Sequence, residues 1–222
     1  MSNLINSSIG KKLMMALAGL FLCVFMVIHL TINLFMLLPD DGALFSEAVE
    51  FMGNPVMKIL EIVLFGGFAL HMIYGFVTII KNRIARPVGY AVANNKQTSF
   101  FSKYMTHTGI IIALFLVLHF INFYFVKLGI VPIPEAANGN SHDFYSMAIA
   151  LFSNPFYTWL YVAIMVILGF HLNHAFQSAF QTMGWNHPLY TPIIKWVGTI
   201  YSIVIAVGFS IIPLYFLYFY NC

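Results

Sequence analysis

The stretch GLFLCVFMVIHL, residues Gly19–Leu30, is the clearest local evidence for how this chain folds. It lies within an apolar run long enough to cross a bilayer, and it carries a histidine, His29, near its end. A second stretch, GIIIALFLVLHF at Gly109–Phe120, repeats it and carries His119 at the matching place. Each reads glycine, nine mostly apolar residues, then histidine. The same runs therefore predict membrane-spanning helices with an ionisable side chain inside each.

The composition excludes a soluble domain. The chain has 222 residues, of which 61% are hydrophobic and 8% charged, with a mean hydropathy of +0.87. Soluble domains average about 25% charged residues. A chain this poor in charge must use the bilayer as its solvent, so residues 1–222 are predicted to form one polytopic membrane domain. The net charge of +3 says little about partners, because it comes from few residues, and no nucleic-acid partner is expected.

Five apolar runs reach the roughly 20 residues that a spanning helix needs. They cover about 13–38, 57–80, 104–126, 156–182 and 192–219. The first run is longer than the hydrophobic part of a signal peptide and has no clear cleavage site, so we interpret it as a retained helix. The predicted fold class is an all-α membrane protein with five transmembrane helices, and the prolines that break helices are expected at helix ends.

Charge between the runs predicts their orientation. Basic residues precede helix 1 and fill the connection between helices 2 and 3: Lys11, Lys12, Lys81, Arg83, Arg86, Lys96 and Lys103. The connection between helices 1 and 2 is acidic, with Asp40, Asp41, Glu47 and Glu50. By the positive-inside rule, the N-terminus is cytoplasmic and the C-terminus lies outside.

Local signals refine the helix ends. Asn54-Pro55 and Asn154-Pro155 are predicted to open the helices that run from outside to inside, since proline is tolerated in the first helical turn. The connection at about 127–155 contains SHDFYSMAIALF, which predicts a short interfacial helix with His142 at its exposed end.

Four histidines fall at two matching depths. At about 1.5 Å per residue, His29 and His119 lie about 24 to 25 Å from the cytoplasmic edge, whereas His71 and His171 lie about 15 to 17 Å from it. Two axial ligands of one porphyrin need nearly the same depth. The sequence therefore predicts an outer pair, His29 with His119, and an inner pair, His71 with His171, each holding one haem within a four-helix core beside the fifth helix.

Alternatives remain beside this interpretation. A single intramembrane histidine more often serves packing or a proton relay than a metal. The small residues that flank the inner pair suit a macrocycle or simple helix packing: Gly66, Gly67, Gly75, Gly169 and Ala175. Gly19 and Gly109 are expected to make room beside the inner pair. Cys23 and Cys222 lie in no haem-attachment or clustered metal motif.

The other histidines have weaker signals. His174 lies one turn from His171 and competes with it as a ligand, or it contacts a haem propionate. His107 is expected at the cytoplasmic end of helix 3, and His142 and His187 in surface loops.

At these residues the chain resembles the cytochrome b membrane anchor of succinate:quinone oxidoreductases, in the five-helix, two-haem group that is also found in quinol:fumarate reductases. The sharpest matches are the glycine–histidine spacing in helix 3 and the helix 4 pattern FHLNHAFQSAFQTMGW. The resemblance extends to helix count, orientation and histidine placement. It implies axial ligands at His29, His71, His119 and His171. In the family a ligand histidine is followed four residues later by a small residue and then an apolar or aromatic one, which selects His171, with Ala175 and Phe176, over His174.

The resemblance also implies partners and location. A flavoprotein and an iron–sulfur subunit would bind the cytoplasmic side of the anchor. Electrons would pass from them through the inner and outer haem b to a quinone, with menaquinone expected, in a bacterial cytoplasmic membrane. Some fumarate-reducing members have a glutamate two residues before the helix 4 ligand for proton transfer. Here that residue is Gly169, so that proton route is not assigned.

A quinone site near the outer pair needs a polar group at that depth. Glu61 is the leading candidate, because it lies about 30 Å from the inner edge and its carboxylate could exchange a quinone proton. The alternative is an interfacial charge paired with Lys58. Asn33, one turn beyond His29, and Glu50 are weaker candidates for quinone contact.

Two other functions stay open. A quinone-reactive cytochrome b subunit of a hydrogenase or formate dehydrogenase would share the haems and bind a different partner. A haem-free transporter would use the histidines as a proton relay, but such proteins often show inverted repeats and broken helices. The two echoing stretches run in parallel, which disfavours the transporter.

Overall fold

The computed structural model describes residues 7–85, 100–134, 137 and 139–220, and this part of the chain is helical without a strand. Within it, five helices are long and apolar enough to cross a membrane. They are α1 (Ser8–Leu34), α3 (Pro55–Ile84), α4 (Phe100–His119) with its continuation to Lys127, α7 (Pro155–Thr182) and α8 (Tyr190–Tyr218). The predicted fold class is confirmed: the chain is an all-α, multi-pass membrane protein. Its orientation stays a prediction.

Side-chain caps set the helix starts. The Oδ1 atom of Asn54 accepts hydrogen bonds from the amides of Val56 and Met57 at 2.9 and 3.1 Å, and Asn154 Oδ1 accepts one from the Phe156 amide at 2.9 Å. Both predicted Asn-Pro helix starts are confirmed. The first helix begins before the predicted residue 13, because Ser7 Oγ accepts a 2.9 Å hydrogen bond from the Gly10 amide.

Two short helices lie in the connections at the end of the bundle opposite Lys11. The first, α2 (Ala43–Met52), was not predicted, and its N-cap Gly42 has a φ of 78° and faces the Tyr145 ring. The second, α6 (Phe144–Phe152), was predicted, and His142 is indeed exposed. However, α6 buries Tyr145 and Met147 almost completely, so it closes the end of the bundle and does not merely lie on its surface.

The bundle is organised around α1, α7 and α8. α3 packs on α1, α4 packs on α7, and α8 lies along both α7 and α1. Leu30 meets Gly208 of α8, and Gly169 of α7 meets Ala206, so small residues allow these helices to approach closely. The fifth spanning helix is therefore part of the core. α3 and α4 lie at the periphery and are the least buried spans.

Two interruptions of helical regularity were not predicted. Residues Phe120–Tyr124 form a π-helical segment between α4 and the short α5 (Phe125–Lys127). Pro213 lies inside α8, which corrects the expectation that prolines occur at helix ends. Three residues named in the charge and cysteine patterns lie outside the described residues: Arg86, Lys96 and Cys222.

Candidate functional site

The first histidine pair, His29 of α1 and His119 of α4, joins two helices across the bundle. The ring centroids are 6.0 Å apart and the ring planes are inclined by 84°. Phe25 stacks on His29 at 5.2 Å, and Phe123 lies 5.2 Å from His119. The pair thus lies in an apolar, aromatic environment, where an imidazole has few possible contacts other than a bound ligand or another ring.

The second histidine pair, His71 of α3 and His171 of α7, is the counterpart of the first. Its ring centroids are 6.5 Å apart and its planes are inclined by 80°. A Cβ atom on Gly19 would lie 3.4 Å from His71 Cε1, and one on Gly109 would lie 3.5 Å from His171 Cε1. The predicted position of these glycines beside the second pair is confirmed.

The two pairs are the ones predicted from depth along the helices, and their spacing suits a metal. Two imidazoles on opposite sides of one metal, each bound at about 2 Å, have ring centres about 6 Å apart. Nδ1 of His71 and of His119 is buried and has no hydrogen-bond partner among the described residues. Imidazole is also a common axial ligand of haem, so the donor set fits.

The remaining two rings have polar neighbours. Thr108 Oγ1 lies 3.2 Å from His171 Nδ1. Asn33 Nδ2 donates to the His29 carbonyl oxygen at 2.8 Å and lies 3.3 Å from His29 Nδ1. The Asn33 amide is therefore turned back onto its own helix, and its predicted quinone contact stays a prediction.

The structure separates two roles among the small residues near the second pair. A Cβ on Gly67 would lie 2.9 Å from the Phe21 ring, and one on Gly169 would lie 2.9 Å from Ala206, so these two glycines serve helix packing. Gly66 and Gly75 have no described atom within 4 Å of such a Cβ. Of these four glycines, only Gly66 and Gly75 therefore have open space beside them.

The ring that faces His71 is that of His171, as predicted from the sequence. His174 is half-buried on the same helix, and its contact with a propionate stays a prediction. His187 is exposed and outside the helices, as predicted, and His107 is exposed near the start of α4, where its cytoplasmic position stays a prediction.

Glu61 forms a second cluster, beyond the first histidine pair. Tyr124 Oη donates a 2.7 Å hydrogen bond to Glu61 Oε1, and Lys127 Nζ lies 3.6 Å from Glu61 Oε2. The alternative pairing with Lys58 is therefore corrected: the cation beside Glu61 is Lys127, because the π-helical segment turns Tyr124 and Lys127 toward α3. Glu61 remains 28% exposed and is accessible from outside the bundle.

The π-helical segment gives the two sides of this helix different neighbours. Tyr124 faces Glu61, whereas Asn122 Nδ2 donates a 2.9 Å hydrogen bond to the buried Tyr161 hydroxyl on α7. A cleft of about 310 Å³ lies beside Asn122 and Tyr157. π-helical turns are frequent at functional sites. Tyr124, Asn122 and Thr108 were not predicted from the sequence. The aromatic run after His119 is the only sequence feature that distinguishes the region of Asn122 and Tyr124.

Comparison of the chain with profiles of known protein families, with curated proteins and with solved structures finds no match. Within the described ranges, no three His, Cys, Asp or Glu side chains converge as an ion site. Haem does not need such a cluster, since its iron takes in-plane ligands from the porphyrin and only axial ligands from the protein.

Proposed function

We propose that this chain is the dihaem cytochrome b membrane anchor of a succinate:quinone oxidoreductase. The observation that supports it best is the occurrence of two imidazole pairs, 6.0 and 6.5 Å apart, at two levels of one membrane bundle. One pair could be a packing contact. Two pairs with the same crossing geometry, each supplied by separate helices, are better explained by two haem groups.

The chain's residues would bind and orient the haems. His29 with His119, and His71 with His171, would supply the axial ligands. Gly19 and Gly109 leave the second pair room on both sides, while the phenylalanines around the first pair exclude water. Bound haem supplies one-electron transfer. Since one haem cannot bridge the roughly 30 Å of hydrocarbon, two levels are needed to relay electrons across it.

The cluster around Glu61 is the proposed quinone site. Glu61 lies on the same side of the bundle as the first pair, and its carboxylate is held by Tyr124 and Lys127. Partial exposure allows a lipid-soluble substrate to reach it. Quinone reduction consumes protons and quinol oxidation releases them, so a carboxylate at this place can exchange them with the substrate.

The partners and location follow from the family resemblance. A flavoprotein and an iron–sulfur subunit would bind the end of the bundle that carries Lys11 and Lys81, and menaquinone is the expected quinone. The expected location is a bacterial cytoplasmic membrane with this basic end inside.

A reduced-minus-oxidised absorption spectrum of the purified complex, with pyridine-haemochrome quantification per chain, tests this proposal. Two b haems per chain are expected. One haem would mean that one pair is structural, and no haem would overturn the proposal in favour of a proton-coupled transporter. The subunits that copurify then distinguish a succinate or fumarate enzyme from a hydrogenase or formate dehydrogenase.

A further inference from the structure

Thr108 of α4 and His171 of α7 form a side-chain hydrogen bond that links one of the four paired histidines to a second helix. Thr108 Oγ1 lies 3.2 Å from His171 Nδ1. Thr108 directly precedes Gly109, which is in contact with the same ring. Two consecutive residues of α4 therefore fix one imidazole, the first by a polar contact and the second by leaving space.

The network indicates the direction of this hydrogen bond. Thr108 Oγ1 also lies 3.0 Å from the carbonyl oxygen of Met105 and 3.3 Å from that of Tyr104. A carbonyl oxygen cannot donate, so the single hydroxyl hydrogen is directed to the backbone, as is common for threonine in helices. The hydroxyl oxygen then accepts from His171 Nδ1–H. A neutral ring with hydrogen on Nδ1 keeps the Nε2 lone pair, which is the form that binds a metal.

His71 has no equivalent partner within the described part of the chain. In the repeated stretch of α1, Gly19 takes the place of Gly109, and the residue before it is Ala18. Gly19 approaches the His71 ring as Gly109 approaches His171, with closest distances of 3.4 and 3.5 Å. His71 Nδ1 is buried, and no described residue forms a hydrogen bond with it. The His71 ring interacts with the backbone of Met15, but no side chain among the described residues forms a hydrogen bond with its Nδ1.

We infer that Thr108 is a positioning residue for His171: its hydroxyl accepts the Nδ1–H, fixes the metal-binding tautomer and makes the two axial ligands of the second pair unequal. This inference rests on the proposed function. Partners of this kind orient a ligating histidine and raise its basicity, and their loss typically changes metal affinity 10- to 100-fold. Nδ1 of His171 thus has a side-chain partner, and Nδ1 of His71 has none among the described residues.

The test is a redox titration of both haems, with low-temperature EPR spectra, in complexes that carry Thr108→Val, Thr108→Ser or Ala18→Thr. Valine has nearly the shape of threonine but no hydroxyl. Thr108→Val should therefore weaken the binding of the ferric form of the second-pair haem about tenfold relative to the ferrous form, which raises the reduction potential of that haem by about 59 mV. Thr108→Ser should keep the wild-type potential. Ala18→Thr should give His71 a partner and lower the same potential.

The control is Thr31→Val, which removes a threonine hydroxyl that bonds to its own helix, at the Val27 carbonyl, on an exposed face of α1. It should shift neither haem. The inference would be overturned if the second-pair haem had the same potential in the wild type and in Thr108→Val, or if both haems shifted equally. In either case, two haems per chain would still uphold the proposed function. If Thr108→Val fails to assemble, the direction of the Ala18→Thr shift decides. A wild-type complex without haem would overturn both proposals.

Discussion

Tyr124 donates a 2.7 Å hydrogen bond to Glu61 and thereby joins the π-helical segment to α3. The same carboxylate lies 3.6 Å from the Lys127 ammonium. The Glu61 carboxylate thus has a neutral hydrogen-bond donor and a cation as close neighbours. Because the Glu61 side chain is also 28% exposed, it is accessible to a substrate as well as firmly held.

Glu61→Gln should lower quinone turnover about 100-fold or more, the usual effect of losing a general acid or base. Glutamine keeps the size and the hydrogen bond from Tyr124 but cannot exchange a proton. Steady-state turnover with a soluble quinone analogue and haem content by absorption should be measured on the same preparation, and both haems should remain.

Glu47→Gln is the matched control, since Glu47 is an exposed acidic residue of α2 at the same end of the bundle. Its turnover should equal that of the wild type. Unchanged turnover in Glu61→Gln would remove Glu61 from the quinone site, and equal losses in both variants would indicate a general effect of negative charge.

Tyr124→Phe should have a smaller effect than Glu61→Gln, about tenfold in quinone turnover. The substitution removes a hydrogen bond to a charged group, which contributes about 1.5 to 3 kcal/mol, but Lys127 remains beside the carboxylate. Tyr157→Phe, at the cleft on the other side of the helix, is the control. A loss of turnover in Tyr157→Phe alone would place the quinone in that cleft instead.

The sequence predicts the spanning helices and the histidine pairs because both depend on one-dimensional quantities. Hydropathy gives the helix, and a rise of about 1.5 Å per residue gives the depth of His29, His71, His119 and His171. Depth alone was sufficient to pair the rings, since each level holds one histidine from each of two helices. Capping asparagines before proline, as at Asn54, are local and were also predictable.

The partner of Glu61 was not predictable in this way. It depends on the π-helical segment, which rotates Tyr124 and Lys127 relative to His119, and no residue pattern in FINFY specifies that extra residue per turn. The packing role of Gly169 likewise depends on where α8 lies, which hydropathy does not give. Depth along the membrane can be read from sequence, whereas the rotation of a helix about its axis depends on its neighbours.

His29→Ala or His119→Ala should remove one haem and leave the other, because each pair draws its rings from different helices. His71→Ala or His171→Ala should remove the second haem in the same way. Haem content should fall from two per chain to one in each variant, with the two single losses distinguished by their EPR signals. His174→Ala should keep both haems if His174 contacts only a propionate. Loss of the same haem in His29→Ala and His71→Ala would refute the pairing.

Gly109→Leu should abolish the haem of the second pair and spare that of the first. A Cβ at this position would lie 3.5 Å from His171 Cε1, which is an ordinary contact, but the outer atoms of leucine would overlap the ring and displace it.

Gly109→Ala is the small-side-chain control and should keep both haems, since it adds only the Cβ atom. Gly19→Leu should reproduce the loss from the other side of the bundle, by displacing His71. Haem quantification after purification distinguishes the outcomes. If Gly109→Leu retained two haems, Gly109 would be a helix-packing glycine like Gly169, and the repeated glycine–histidine spacing would reflect helix contacts alone. If leucine at either glycine removes the second haem and alanine does not, the glycine–histidine spacing has two causes. The glycine leaves space at the level of the second pair, and the histidine supplies a ligand at the level of the first pair. That double requirement explains why the two stretches share both ends of the pattern.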